Sequence, residues 1–112
     1  MTYQLAAPLL DACVLGVLNK GDAYGYILTQ EMKRVVEISE STLYPVLRRL
    51  QQAGCLSVYD KPYQGRNRRY YGITKVGRTL LESYREEWQS YREQVESLLW
   101  KQEEGGLEHE QD

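Results

Sequence analysis

The chain has 112 residues, 42% hydrophobic and 27% charged, which fits one globular domain and leaves no room for a second core. That balance excludes a disordered or fibrous protein, and no apolar run approaches membrane-spanning length. The formal net charge of −2 hides a polarised distribution: residues 39–79 hold eight Lys/Arg against two Asp/Glu, whereas residues 80–112 hold three against ten. A basic middle on an acidic chain points to an anionic partner.

Taken in order, "LAAPLLDACVLGVLNKGD" predicts a first helix, with Pro8 in its opening turn, where a missing N–H does no harm. Leu10, Val14, Val17 and Leu18 fall at helical spacing. A second helix is expected from about Ala23, with Tyr24, Ile27, Leu28, Met32 and Val35 on its apolar side. Gly25 weakens a helix interior and so marks a close approach or the helix start.

"ISESTLYPVLRRLQQAGCL" predicts a third helix capped by Ser39 or Ser41 and stopped at Gly54. Leu43, Val46, Leu47 and Leu50 form its inner face. Its outer face carries Ser41, Thr42, Tyr44 and Pro45 near the start, then Arg48 and Arg49. Short hydrogen-bonding groups followed by basic ones suit a helix entering the major groove N-terminus first, with the arginines on phosphates. An ordinary solvated helix face reads much the same when taken alone.

Two alternating strands follow, "CLSVYD" and "RYYGIT", joined by a loop "KPYQGRNR". The hairpin places Gly65, Arg66, Arg68 and Arg69 at its tip, where arginines suit a narrow, electronegative minor groove. Tyr24, Tyr26, Lys33 and Arg34 are candidates to clamp the backbone from the second helix, although both tyrosines fit a core equally well.

A long helix is expected from Thr74, its N-cap. Leu81, Tyr84, Trp88, Tyr91, Val95 and Leu98 are spaced 3, 4, 3, 4, 3, an a/d seam that wants a second chain. Val76, Leu80 and Leu99 remain to pack at home, and Trp100 lies off the seam. Near a two-fold axis, paired Trp88 indoles can fill the interface or part for a planar ligand. The expected organisation is a winged helix-turn-helix over 1–73, mainly α with a small β-hairpin, a dimerisation helix over 74–102 and an acidic tail over 103–112.

Three phrases, "STLYPVLRRLQQAGCL", "QGRNRRYYGIT" and "GRTLLESYREEWQ", resemble the PadR family of bacterial transcriptional regulators in its compact form with one C-terminal helix. The resemblance runs from about Leu9 to Leu99 and extends to the multidrug-binding members. It implies a homodimeric repressor of inverted-repeat operators in double-stranded DNA. It also implies a flat aromatic effector stacked on Trp88 between subunits. Relatives carry an acid one turn after that tryptophan; here the position is Arg92, which argues against cationic drugs. The competing reading is a winged-helix module that binds protein without recognising DNA sequence.

Two cysteines and one histidine, His109, make neither a disulfide framework nor a metal site, and no cofactor is expected. Cys55 has no basic partner at fixed spacing to favour a reactive thiolate. With no nucleophile or carboxylate cluster, an enzyme is not expected. The N-terminus lacks the basic flank and cleavage site of a secretory signal, so a cytoplasmic bacterial protein is expected.

Overall fold

The computed structural model describes residues 7–100; the expected acidic tail, with His109, lies outside the described residues. The elements run α1 (Ala7–Lys20), β1 (Ala23–Tyr24), α2 (Gly25–Lys33), α3 (Glu40–Gln52), β2 (Leu56–Tyr63), β3 (Arg66–Ile73) and α4 (Lys75–Leu99). Among the described residues no helix is long and apolar enough to cross a membrane. The architecture is a winged helix-turn-helix carrying a long C-terminal helix.

The hairpin belongs to a three-stranded antiparallel sheet of order β1-β3-β2, with the two-residue β1 laid against Tyr70 and Tyr71. Its strands reach much further than expected. Residues 61–68, expected as a loop, are almost all paired, with Lys61 opposite Arg68 and Tyr63 opposite Arg66. The connection is only Gln64-Gly65, both at positive φ (51° and 77°), the two-residue turn whose twist matches its strands. Arg68 and Arg69 are therefore strand residues, set on opposite faces by the two-residue period, and Arg66 alone flanks the turn.

The core unites Val14, Leu15 and Leu18 of α1, Leu28 and Met32 of α2, and Leu43, Leu47 and Leu50 of α3 with Leu56 and Tyr71 of the sheet. Two apolar assignments on α2 differ from expectation. The helix stops at Lys33, so Val35 leaves its phase and is 70% exposed, while Val36 and Ile38 turn inward instead. Ile27 also faces out. Gly25 proves to be both the helix start and a close approach, since a Cβ there would lie 3.1 Å from the Tyr44 hydroxyl.

Helix α3 is capped by Ser39, whose Oγ accepts from the Thr42 N–H at 3.3 Å. It ends at Gly54 in the left-handed region (φ 79°), with the Cys55 N–H donating to the Leu50 carbonyl at 2.9 Å. Thr74 then starts α4: its Oγ1 accepts from the Gly77 N–H at 3.0 Å and donates to the Gly54 carbonyl at 2.6 Å. The Thr74 N–H donates to the Cys55 carbonyl at 3.0 Å.

The inner stripe of α4 is Gly77, Leu81 and Tyr84, with Leu80 beside it. This corrects the expected packing. Leu81 is only 4% exposed within its own chain, and Tyr84 packs on the same core, so the first two seam positions are already used. Val76 and Leu99, expected to pack at home, are 57% and 63% exposed because they lie off this stripe. One stripe serves two purposes, with its first turns docked on the body and its later turns open.

A Cβ at residue 77 would overlap the Cys55 carbonyl oxygen and approach Ile73 Cγ1 to 2.8 Å. Backbone cannot yield as a flexible side chain would. Gly77→Ala should therefore lower stability by about 1–3 kcal/mol, the usual range for overpacking, in urea or thermal melts. A loss below about 0.5 kcal/mol, typical of a tolerant surface position, would contradict this docking of α4.

Candidate nucleic-acid interface

A cleft of about 530 Å³ opens where the start of α2, the outer face of α3 and the wing converge. Tyr24, Gly25 and Tyr26 come from the first, Tyr44, Arg48 and Gln51 from α3, and Arg68, Arg69 and Tyr71 from β3. Glu40 also lines it, the one acid among three arginines and four tyrosines. Tyr71 is 7% exposed, and burial holds its phenol above the usual tyrosine range.

The expected site residues divide by what already holds them. Arg48 is exposed, with no ion pair among the described residues, and so is Arg66 beside the turn. Arg69 faces Asp60 directly across the hairpin at a loose 3.6 Å and remains largely exposed. Ser41 and Thr42 lie at the N-terminus of α3, their hydroxyls 2.9 and 3.2 Å from Ser39 Oγ. Pro45 is exposed on the same helix, and Tyr44, 40% exposed, leans over Gly25.

Arg49 differs from expectation. Its guanidinium makes two hydrogen bonds to Asp11 of α1, at 2.6 and 3.0 Å, and Asp11 is 5% exposed. A fork-to-carboxylate pair of this kind ties α3 to α1, and the hydrogen bond to Asp11 raises the pKa of Arg49 further. The partners lie 38 residues apart, a pairing no local pattern displays. The expected clamp on α2 also divides. Tyr24 and Tyr26 line the cleft, whereas Lys33 and Arg34 are at the far end of the helix, with Arg34 on Glu31 at 3.0 Å.

Sequence reasoning missed the aromatic face of the wing. Tyr24 stands 5.5 Å from Tyr70, which stacks on Tyr59 at 5.6 Å and 11°. The Tyr59 hydroxyl donates to Asp22 at 2.7 Å, and that bond keeps its phenol protonated to higher pH. Gly72 makes the approach possible, since a Cβ there would lie 2.7 Å from Asp22 Oδ1. Arg68 sits over the rings of Tyr24 and Tyr63 rather than in open solvent.

A second, smaller groove of about 230 Å³ lies between α1 and α4, lined by Pro8, Leu9, Ala12, Tyr84, Glu87, Trp88 and Tyr91. Trp88 and Tyr91 are 6.4 Å apart and tilted by 45°. Arg92 is not among its lining residues; the charged group there is Glu87. Tyr91, at its edge, is 61% exposed; beyond it Leu98 and Trp100 are 78 and 72% exposed, while Val95 is half-buried. Burial pushes the Cys13 and Cys55 thiols up, which disfavours thiolate chemistry at either. No cluster of metal-ligating side chains occurs among the described residues.

This fold and this basic cleft define a winged-helix regulator. Residues 14–83 match the Transcriptional regulator PadR-like family, and the chain belongs to it. It is 38% identical over 80 residues to the transcriptional regulator Rv3488 of Mycobacterium tuberculosis, covering 70% of this chain and 73% of that one. The crystal structure of smu.1704 from Streptococcus mutans superposes with a TM-score of 0.84 at 38% identity, covering 90% of this chain and 95% of that one. Bacillus subtilis PadR, solved in complex with operator DNA, superposes with a TM-score of 0.63 at 25% identity, over 68% of this chain and 45% of that one.

The neighbours Arg48 and Arg49 should behave as opposites. Arg49→Met leaves the Asp11 carboxylate buried without its partner and should cost about 2 kcal/mol in a urea melt. Arg48→Met should stay within about 0.5 kcal/mol of the parent. Equal stabilities would deny the pair its structural role.

Proposed function

We propose that the protein is a dimeric, DNA-binding transcriptional repressor of inverted-repeat operators, relieved by a small aromatic ligand. The observation that carries the reading is the cleft, which joins the face of α3 to the wing and gathers Arg48, Arg68 and Arg69 in a chain of net charge −2. In this reading the hairpin and the helices before residue 74 bind DNA, and the helix from 74 onward dimerises. Ser41, Thr42, Tyr44 and Pro45 enter the major groove at the start of α3, with Arg48 on the adjoining backbone. Gly65, Arg66 and Arg69 meet the flanking minor groove, and Tyr24 lies against the backbone between them. The operator complex of Bacillus subtilis PadR supports the placement by analogy of fold. Arg49 is left out, because its guanidinium belongs to Asp11.

The partner surface is the open part of the α4 stripe: Trp88, Tyr91, Val95 and Leu98. Leu81 and Tyr84 support that surface from behind. A flat ligand would stack on Trp88 beside the small groove, whose one carboxylate, Glu87, favours neutral or cationic aromatics over anionic ones. Arg92, one turn beyond Trp88, weighs the other way, against cationic ligands. Ligand binding would change the angle between paired α4 helices and hence the separation of the two α3 helices. That separation must be near one DNA turn, roughly 34 Å, to read both half-sites.

Selection from a random DNA pool at two salt concentrations tests the main reading. An enriched inverted repeat, weakened by several decades of affinity at higher salt, supports it. Enrichment of nothing at either salt points to a protein-binding module instead. On the selected operator, Arg48→Ala and Arg66→Ala should each reduce the slope of log K against log salt by about one. Trp88→Ala should remove the response to planar aromatics and leave ligand-free DNA binding in place. Dissociation of that variant to monomers in sedimentation would make Trp88 an interface core residue instead.

A further inference from the structure

Arg68 is the one wing arginine enclosed by rings. Its guanidinium carbon lies 4.1 Å from the centre of the Tyr24 ring and 3.7 Å from that of Tyr63. The two rings belong to different parts of the molecule. Tyr24 is in β1 and is the N-cap residue of α2, hence part of the body; Tyr63 is the last residue of β2, next to the wing turn. Arg68 is half-buried and makes no ion pair among the described residues. Its guanidinium lies over aromatic faces and not against a carboxylate.

The position in the hairpin explains why such a link matters. Strand β1 pairs with β3 only at Tyr70 and Tyr71, so the eight residues from 62 to 69 have no third strand beside them. An isolated two-stranded ribbon twists and bends freely in water. The diagonal from Tyr63 through Arg68 to Tyr24 extends the anchorage from the body almost to the turn. A planar guanidinium can stack on two rings at once, which a compact ammonium cannot.

We infer that Arg68 is a positioning residue. It clamps the outer wing to the helix-turn-helix through Tyr24 and Tyr63, and so sets where Arg66 and Arg69 meet DNA, without itself holding a phosphate. The inference rests on the DNA-binding reading for its consequence, but the clamp exists in the free protein and is measured there.

Arg68→Lys keeps the charge and removes the double stack. In the free protein, hydrogen exchange of the hairpin amides between residues 61 and 69 should speed up roughly three- to tenfold, with α1 and α3 amides unchanged. On the selected operator, Arg68→Lys should weaken binding about fivefold at both salts, because the charge and thus the salt slope are retained. Arg66→Ala should then cost less in the Arg68→Lys background than in the parent, since a wing already out of place loses less with one contact. Parental exchange and parental affinity in Arg68→Lys, with a slope reduced by about one in Arg68→Ala, would make Arg68 a phosphate contact and overturn the inference. Should the parent enrich no DNA, the repressor reading fails by itself, and exchange decides the clamp: unchanged rates in Arg68→Lys dispose of it.

Discussion

The fold turns on a junction of two backbone carbonyls and one hydroxyl. Thr74 Oγ1 caps α4 and donates to the Gly54 carbonyl at the end of α3, while the Thr74 N–H takes the carbonyl of Cys55. Gly77 lets the first turn of α4 press against that same Cys55 carbonyl. Four segments meet there: the end of α3, the start of β2, the end of β3 and the start of α4. Each would otherwise have orphan polar groups, since helix ends and strand ends both leave unpaired backbone. The junction satisfies them with one another and so removes the freedom of α4 to swing relative to α3.

A second tie runs across the body. The Asp11–Arg49 pair ties α1 to α3, and α1 in turn supports α4 near Tyr84 and Trp88. Neighbouring arginines on α3 thus divide their duties, Arg49 inward to the scaffold and Arg48 outward to the cleft. The wing has its own tie, the ring system that includes Tyr24, Tyr59, Tyr63 and Tyr70, with Asp22 at one end. Tyrosine suits this place: its ring stacks while its hydroxyl reaches water or a carboxylate. A phenylalanine could not make the Tyr59–Asp22 bond.

Much of this was readable along the chain. Helical spacing placed α1 and α3, Thr74 announced the start of α4, and Gly54 its role as the stop of α3, because these are local rules with local residues. The strands beyond Asp60 were not readable. Lys61, Pro62, Tyr63 and Asn67 look like loop, and only the cross-strand register makes them strand. Strand β1 has two residues and no pattern of its own; it exists because Tyr70 and Tyr71 are there to pair with it. The 3-4 spacing marks one apolar stripe of α4, but spacing alone does not tell what covers which turn, and the body claims Leu81 and Tyr84. Of the candidate interface, the basic wing and the face of α3 were visible in sequence. The diversion of Arg49 and the enclosure of Arg68 were not, as each depends on a partner distant in the chain.

The stiffness of the α3–α4 junction has a mechanical meaning. Helix α4 has 25 residues, about 37 Å at 1.5 Å per residue; its first turns are docked on the body through Leu81 and Tyr84, and the arm beyond Tyr84 is about 22 Å long. Such an arm is a lever: a tilt of about 10° displaces its far end by roughly 4 Å, given that length. Read in the other direction, a displacement of several ångströms at the tip is reduced to a small, defined tilt of α3. A soft joint would dissipate that motion in bending. The absent side chain at Gly77 is what lets the rod seat against the Cys55 carbonyl at that joint.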